Sequence, residues 1–187
     1  MIWLILGLLL WSGAHLFRRL APEQRARMGD AGKGAVALAL LVSIGLMVVG
    51  YRAWIPSEIW WTAGPALTGI NNLLVLVAFY LFAASGMKTW LAQRYRHPQL
   101  TAVILWAVAH LLVNGDAPSV VLFGGLGLWA VLEILLIERA GPARAGVPAV
   151  PVTPGREIGA LAGAVLVYAA VGAIHGWIGP WPFGGVA

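Results

Sequence analysis

Apolar residues fill long unbroken runs of this chain, parted by short stretches where proline, glycine and charge concentrate. A helix needs about 20 apolar residues to cross the hydrocarbon layer of a bilayer. With that length as ruler, the chain predicts six spans, at about 2–20, 34–54, 66–86, 99–115, 119–138 and 157–178. The breaks have physical causes. Pro22 and a run of arginines close the first span, and Pro56 and Pro65 bracket the turn after the second. His97-Pro98 opens the fourth, because the residue before a proline is pushed out of the helical region. Asn114-Gly115-Asp116-Ala117-Pro118 reads as a tight turn between the fourth and fifth. Residues 141–155 include Pro142, Pro148, Pro151 and Pro154 and read as an extended linker. The expected fold is all-α, a polytopic membrane bundle. It has a five-helix core over 1–139, a linker over 140–156, and a sixth helix with an outer tail over 157–187.

Composition agrees. Of the 187 residues 60% are hydrophobic and 10% charged, where a soluble domain carries roughly a quarter charged residues. That excludes a soluble enzyme and a disordered chain. With no cysteine, disulfides, thiolate metal sites and cysteine nucleophiles are excluded as well. The net charge of +5 does not point to nucleic acid, because the cations are sorted by loop. Arg18, Arg19, Arg25, Arg27 and Lys33 follow the first span, and Lys88, Arg94 and Arg96 follow the third. Arg139, Arg144 and Arg156 precede the sixth, which leaves Arg52 alone among the twelve Lys and Arg on the other side. This positive-inside asymmetry places both termini away from the cytoplasm. The same basic loops suit contact with anionic membrane lipid. The first span reads as a retained helix, since its cations follow the apolar stretch instead of preceding it. Trp54, Trp60, Trp61, Trp177 and Trp181 at the outer ends and Trp90 at the inner end read as interfacial anchors.

Chemistry is expected where polar groups sit inside the membrane against their cost. The candidates are His15, Asn71, Asn72, His110, Asn114, Glu133, Tyr168 and His175. Counted along their spans, His15 and Glu133 lie roughly 6–7 Å to the cytoplasmic side of mid-bilayer. His110 lies roughly 4 Å and His175 roughly 11 Å to the outer side. His97 is roughly 20 Å from His110 along one helix, too far to share a metal ion, and reads as a helix-entry element. Trp106, His110 and Asn114 share one helix face at i, i+4 spacing. That stripe reads as a hydrogen-bond network between helices, as metal or haem ligation by histidine, or as a proton relay. Equal depth makes Glu133 the expected partner of His15, holding the ring N–H as carboxylates do for metal-bound histidines. A pairing of Glu133 with Arg18 or Arg19 is the competing expectation. Gly155, Gly159 and Gly163 recur every four residues, a spacing that serves close helix packing within the chain or a homodimer through Gly159 and Gly163. Gly124-Gly125-Leu126-Gly127 reads as close packing too. No HExxH, P-loop, GxGxxG or GxSxG is present.

The segment His97–Asp116, HPQLTAVILWAVAHLLVNGD, resembles the signature stretch of the NnrU family of bacterial membrane proteins. Gly13, His15 and Leu16-Phe17-Arg18-Arg19-Leu20 resemble that family's opening, and His175-Gly176-Trp177-Ile178-Gly179 its last helix. The resemblance covers nearly the whole chain. It implies a multi-pass protein of the bacterial inner membrane, linked with nitrite and nitric-oxide metabolism in denitrifying bacteria, alongside a redox or respiratory membrane partner. The family is in turn similar to the plant 15-cis-zeta-carotene isomerase, a haem b membrane enzyme. That likeness implies haem b with His15 and His110 as ligands, and a haem-dependent polyene isomerase as the alternative activity; a cofactor-free assembly subunit is the third. The isomerase has a cysteine three residues before its downstream ligand, where this chain has Ala107. The depths of His15 and His110 differ by roughly 10 Å, those of His110 and His175 by roughly 7 Å, so His175 stands as the second candidate partner.

Overall fold

The structure, a computed structural model, describes residues 1–141 and 150–184. The middle of the expected linker, with Pro142, Arg144 and Pro148, and the last three residues lie outside them. The elements are α1 (Ile2–Leu20), α2 (Pro22–Arg27), α3 (Ala31–Arg52), β1 (Ile59–Thr62), α4 (Pro65–Met87), α5 (Trp90–Arg94), α6 (Pro98–Val113), β2 (Asn114–Asp116), α7 (Ala117–Arg139) and α8 (Pro154–Ile178). Proline sits in the first turn of α2, α4, α6, α7 and α8. There its missing N–H costs nothing and its fixed φ suits the helix. The same residues that break one apolar run therefore start the next.

Among the described residues four helices, α3, α4, α7 and α8, are long and apolar enough to cross a membrane. The apolar α6 has 16 residues, and α1 ends in Arg18 and Arg19. Leucines such as Leu38, Leu41, Leu73, Leu128 and Leu166 are exposed over more than half their surface. A water-soluble monomer does not carry so much open apolar area. The chain is a multi-pass, all-helical membrane protein.

α1 packs on α3 and α7, α6 on α7 and α4, and α4 on α8, which sets the helices in the order α3–α1–α7–α6–α4–α8. Small residues make the contacts, as expected where lipid provides no hydrophobic drive between helices. Ala102, Ala107 and Ala109 of α6 and Ala160 and Ala164 of α8 are buried. A Cβ on Gly127 would lie 3.2 Å from Ala107, and one on Gly125 2.9 Å from Leu8, so the glycine cluster of α7 does serve close packing. Gly159 faces Met87 within the chain, while Gly163 faces open space. The tightest contact joins α1 and α3. A Cβ on Gly7 would stand 2.8 Å from the Ser43 carbonyl and the Met47 amide. Gly7→Ala is expected to force these backbones apart and cost about 1–3 kcal/mol. A thermal melt in detergent reads this as a lowered midpoint, against an unchanged one for Gly45→Ala, which has nothing within 4 Å.

The expected turn at Asn114–Pro118 is different in the structure. Asn114–Asp116 is extended and pairs antiparallel with β1, Trp61 opposite Gly115 and Thr62 opposite Asn114. Gly115 is required, because any Cβ there would run into Trp61. Trp61 is more than an interfacial anchor, since its indole N–H donates to the Leu111 carbonyl at 3.1 Å. This ribbon sits at one end of the bundle, beside the cavity described next.

Candidate functional site

A cavity of about 530 Å³ opens among α3, α4, α6, α7 and α8, at the end of the bundle where α3, α6 and α8 finish. His110 and His175 both line it, with Asn71, Asn72, Asn114 and Tyr168. The sequence expectations thus converge here except for His15 and Glu133. The chain after α8 folds back to close the cavity with Pro180, Pro182 and Phe183. Gly172 and Gly176 make room for the rings of Phe183 and Trp181, which any Cβ at those positions would strike.

Each histidine's hydrogen bond decides what its ring can do. His110 Nδ1 lies 2.8 Å from the Trp106 carbonyl oxygen and His175 Nδ1 2.8 Å from that of Pro180. A carbonyl only accepts, so Nδ1 carries the proton and Nε2 keeps a bare lone pair, the form that binds metal. The His110 ring is further fixed by Phe123, stacked at 4.5 Å and 28°, and by Trp106 at 4.9 Å. Asn114 donates to the His110 carbonyl at 2.8 Å and caps α6. With the Asn71 amide turned so that both its groups are satisfied, its nitrogen donates to the Ala109 carbonyl at 2.9 Å, tying α4 to α6 beside His110.

A hydrogen-bond chain leaves this cavity toward the ribbon. Ser119 Oγ lies 2.9 Å from Asp116 Oδ2 and 2.9 Å from the Tyr51 hydroxyl, while the Ser119 amide donates to Asp116 Oδ1 at 2.9 Å. The carboxylate only accepts, so Ser119 donates to it and Tyr51 donates to Ser119. Tyr51 also lines the cavity, so its oxygen remains an acceptor on that side. Asp116 was legible only as part of a turn and of the family stretch, and Ser119 only as the first residue of the fifth span; nothing in the sequence pairs Tyr51 with them. Ser119 is fully buried; Ser119→Ala is expected to strand the Tyr51 hydroxyl and lower stability by about 1–2 kcal/mol, read as a lower midpoint on heating.

His15 sits elsewhere, on the α1–α7 seam, between Trp11 at 4.3 Å and Trp129 at 4.5 Å. His110 contacts the same α7 at Phe123, six residues from Trp129, which is about 9 Å of helix rise. The structure therefore brings His110 together with His175 and not with His15. His15 Nδ1 is 3.0 Å from the Trp11 carbonyl, so its Nε2 is also bare.

The expected His15–Glu133 contact is not made. Glu133 accepts from Arg19 Nε, one turn further along α1. The physical reason is charge. A guanidinium is always protonated and compensates a buried carboxylate fully, whereas a neutral imidazole offers one hydrogen bond. Trp11, His15 and Arg19 form one stripe on α1 and Trp129 and Glu133 the facing stripe on α7. Glu133 Oε2 and the indole nitrogens of Trp11 and Trp129 are buried without hydrogen-bond partners among the described residues.

His97 is committed at the opposite end of α6 from His110. Its Nε2 is 2.6 Å from Glu138 Oε1, and Arg96 reaches Glu138 Oε2 at 2.6 Å and the Gly141 carbonyl at 2.6 Å. That latch joins the start of α6 to the end of α7, as a helix-entry element would. Among the described residues no three His, Asp or Glu side chains cluster to hold a metal ion.

Residues 3–182 of the 187 match the NnrU protein family. The chain belongs to that family. No curated protein and no solved structure matches it. Within this NnrU-family chain the stretch that carries the resemblance, His97–Asp116, runs from the Glu138 latch through α6 to β2. One segment therefore supplies both the cavity histidine and, in Asn114, a ribbon residue that lines the same cavity. Two further cavity residues escaped the sequence: Phe123, hidden in an apolar run, and Arg52, visible only as a lone outer cation.

Proposed function

We propose that this NnrU-family chain is a haem-b-binding protein of the bacterial inner membrane that acts in nitrogen-oxide metabolism. It has six spans, with both termini outside the cytoplasm. The observation that carries this reading is a cavity holding two histidines, each with Nδ1 tied to a carbonyl and Nε2 free. The donor set fits haem in three further respects. The cavity volume of about 530 Å³ falls in the usual range for cofactor sites, roughly 300–1,000 Å³. Its walls include Phe79, Trp106, Phe123 and Tyr168, which suit a flat apolar macrocycle. Arg52 lines it too and makes no ion pair among the described residues, so it offers a counter-charge for a propionate. His110 and His175 would hold the iron, and haem bound there would supply redox and gas-binding chemistry. The chain's own part is to fix both imidazole tautomers, keep bulk water out with the Phe183 tail, and present the Tyr51 oxygen as a hydrogen-bond acceptor.

The test is spectroscopic. Protein purified from a haem-supplied host is expected to show a Soret band and a type-b pyridine haemochrome. His110→Ala is expected to lose both, while His97→Ala, whose ring is held by Glu138, keeps them. A colourless wild-type preparation, or bleaching by His97→Ala alone, removes the reading. Reporter fusions after Arg27 and Arg94 are expected to report cytoplasm, and a fusion at the C-terminal end the opposite side.

A further inference from the structure

We propose that the arginine-lined pocket between the C-terminal ends of α1 and α7 binds the phosphodiester head group of an anionic glycerophospholipid. The pocket is about 430 Å³ and is lined by Arg18, Arg19, Leu136 and Ala140. It lies at the far end of the bundle from the histidine cavity and draws nothing from the haem reading.

Three features select the ligand. First, the donors are free and aimed. Arg19 gives its Nε to Glu133, which fixes the guanidinium and leaves its two terminal nitrogens without a protein acceptor among the described residues. Arg18 is exposed and has no protein partner there either. Planar forks of this kind pair bidentately with phosphate oxygens. Second, the charge matches. Two guanidiniums against the single Glu133 carboxylate leave one net positive charge, which the monoanion of a phosphodiester cancels. The ends of α1 and α7 point carbonyls at the same region and work against an anion. The arginines alone must therefore hold it, and without them the site would repel it. Third, half of the lining is apolar. Leu136 and Ala140 continue along α7 into Leu132 and Leu135, which are 43% and 50% exposed. That face offers an acyl chain a track leading straight from the arginines, of no use to free phosphate. Basic pockets between membrane helices bind lipid head groups on this principle.

The experiment uses the full chain, delipidated in detergent, with lipid retention counted by native mass spectrometry and stability by thermal midpoint. The probes are dioleoyl-phosphatidylglycerol, dioleoyl-phosphatidylcholine and inorganic phosphate. Phosphatidylglycerol is expected to be retained in preference to phosphatidylcholine and to raise the midpoint. Arg18→Gln is expected to cut that preference about fivefold, the worth of one arginine near an anionic head group. Arg25→Gln removes the same charge outside the pocket and is expected to leave it intact. Leu136→Trp, which fills the pocket without changing charge, is expected to abolish it. Equal retention of both lipids, or equal losses in Arg18→Gln and Arg25→Gln, overturns the site. A midpoint rise from inorganic phosphate that matches the lipid's at equal concentration overturns the lipid assignment.

Discussion

Arg19→Ala is expected to destabilise the protein by about 3–5 kcal/mol, the usual cost of leaving a buried charge without its partner. Glu133 is 8% exposed and its second oxygen already lacks a partner among the described residues. Loss of Arg19 leaves the carboxylate with nothing to accept from, and it must take a proton or stay charged in a low dielectric. Arg19 itself is 36% exposed and stands at the end of α1. A long stem can carry its head to the aqueous interface when Glu133 is gone, so Glu133→Gln is expected to cost only about 1 kcal/mol. The double variant Arg19→Met with Glu133→Leu removes both charges and is expected to recover most of the loss. Unfolding by denaturant in detergent measures all three. A milder effect for Arg19→Ala than for Glu133→Gln would show that the carboxylate draws its support from elsewhere, with His15 the nearest alternative.

That pair also shows where sequence reasoning reaches its limit. Depth along the spans put Glu133 and Arg19 on the same side of the bilayer, and both candidate partners on α1. It could not resolve a single helical turn, because that depends on how α1 and α7 slide past one another. The contact of Gly125 with Leu8 sets this slide, and no periodicity encodes it. The helices themselves were legible because prolines mark both the breaks and the starts. Boundaries moved by a few residues, and a change of kind came at Asn114–Asp116. There a local turn signal lost to pairing with β1, a partner more than 50 residues earlier. The cavity was half legible. His110, Asn71 and Asn114 share a depth that can be counted, and His175 does so less closely. Tyr51, Arg52 and Phe123 come from helices whose rotation the sequence leaves open. The folded-back tail is decided by Gly172 and Gly176, whose missing side chains admit Phe183 and Trp181.

The rotation and slide of α1 also decide which histidine can stand beside His110, and here the resemblance and the geometry lead to opposite results. If His15 were the second ligand, its removal would release the haem and His175 would be dispensable. The structure puts His175 in the His110 cavity and His15 between Trp11 and Trp129, about 9 Å further along α7 by helix rise. On the proposed haem reading, His175→Gln is expected to lower haem content per protein by about tenfold or more, since even the hydrogen-bond partner of a metal ligand is worth about that much. The amide can still donate to the Pro180 carbonyl, so the tail stays closed and the loss reports ligation instead of unfolding. His15→Ala is expected to keep haem content within about twofold, since it touches no cavity residue, and to lower the melting midpoint through the gap left between two indoles. Haem content by pyridine haemochrome and melting by circular dichroism, on the same preparations, separate the two effects. A His15→Ala protein that melts normally but carries no haem would return the ligand to α1. It would mean that α1 and α6 come together around iron in a way this arrangement does not contain.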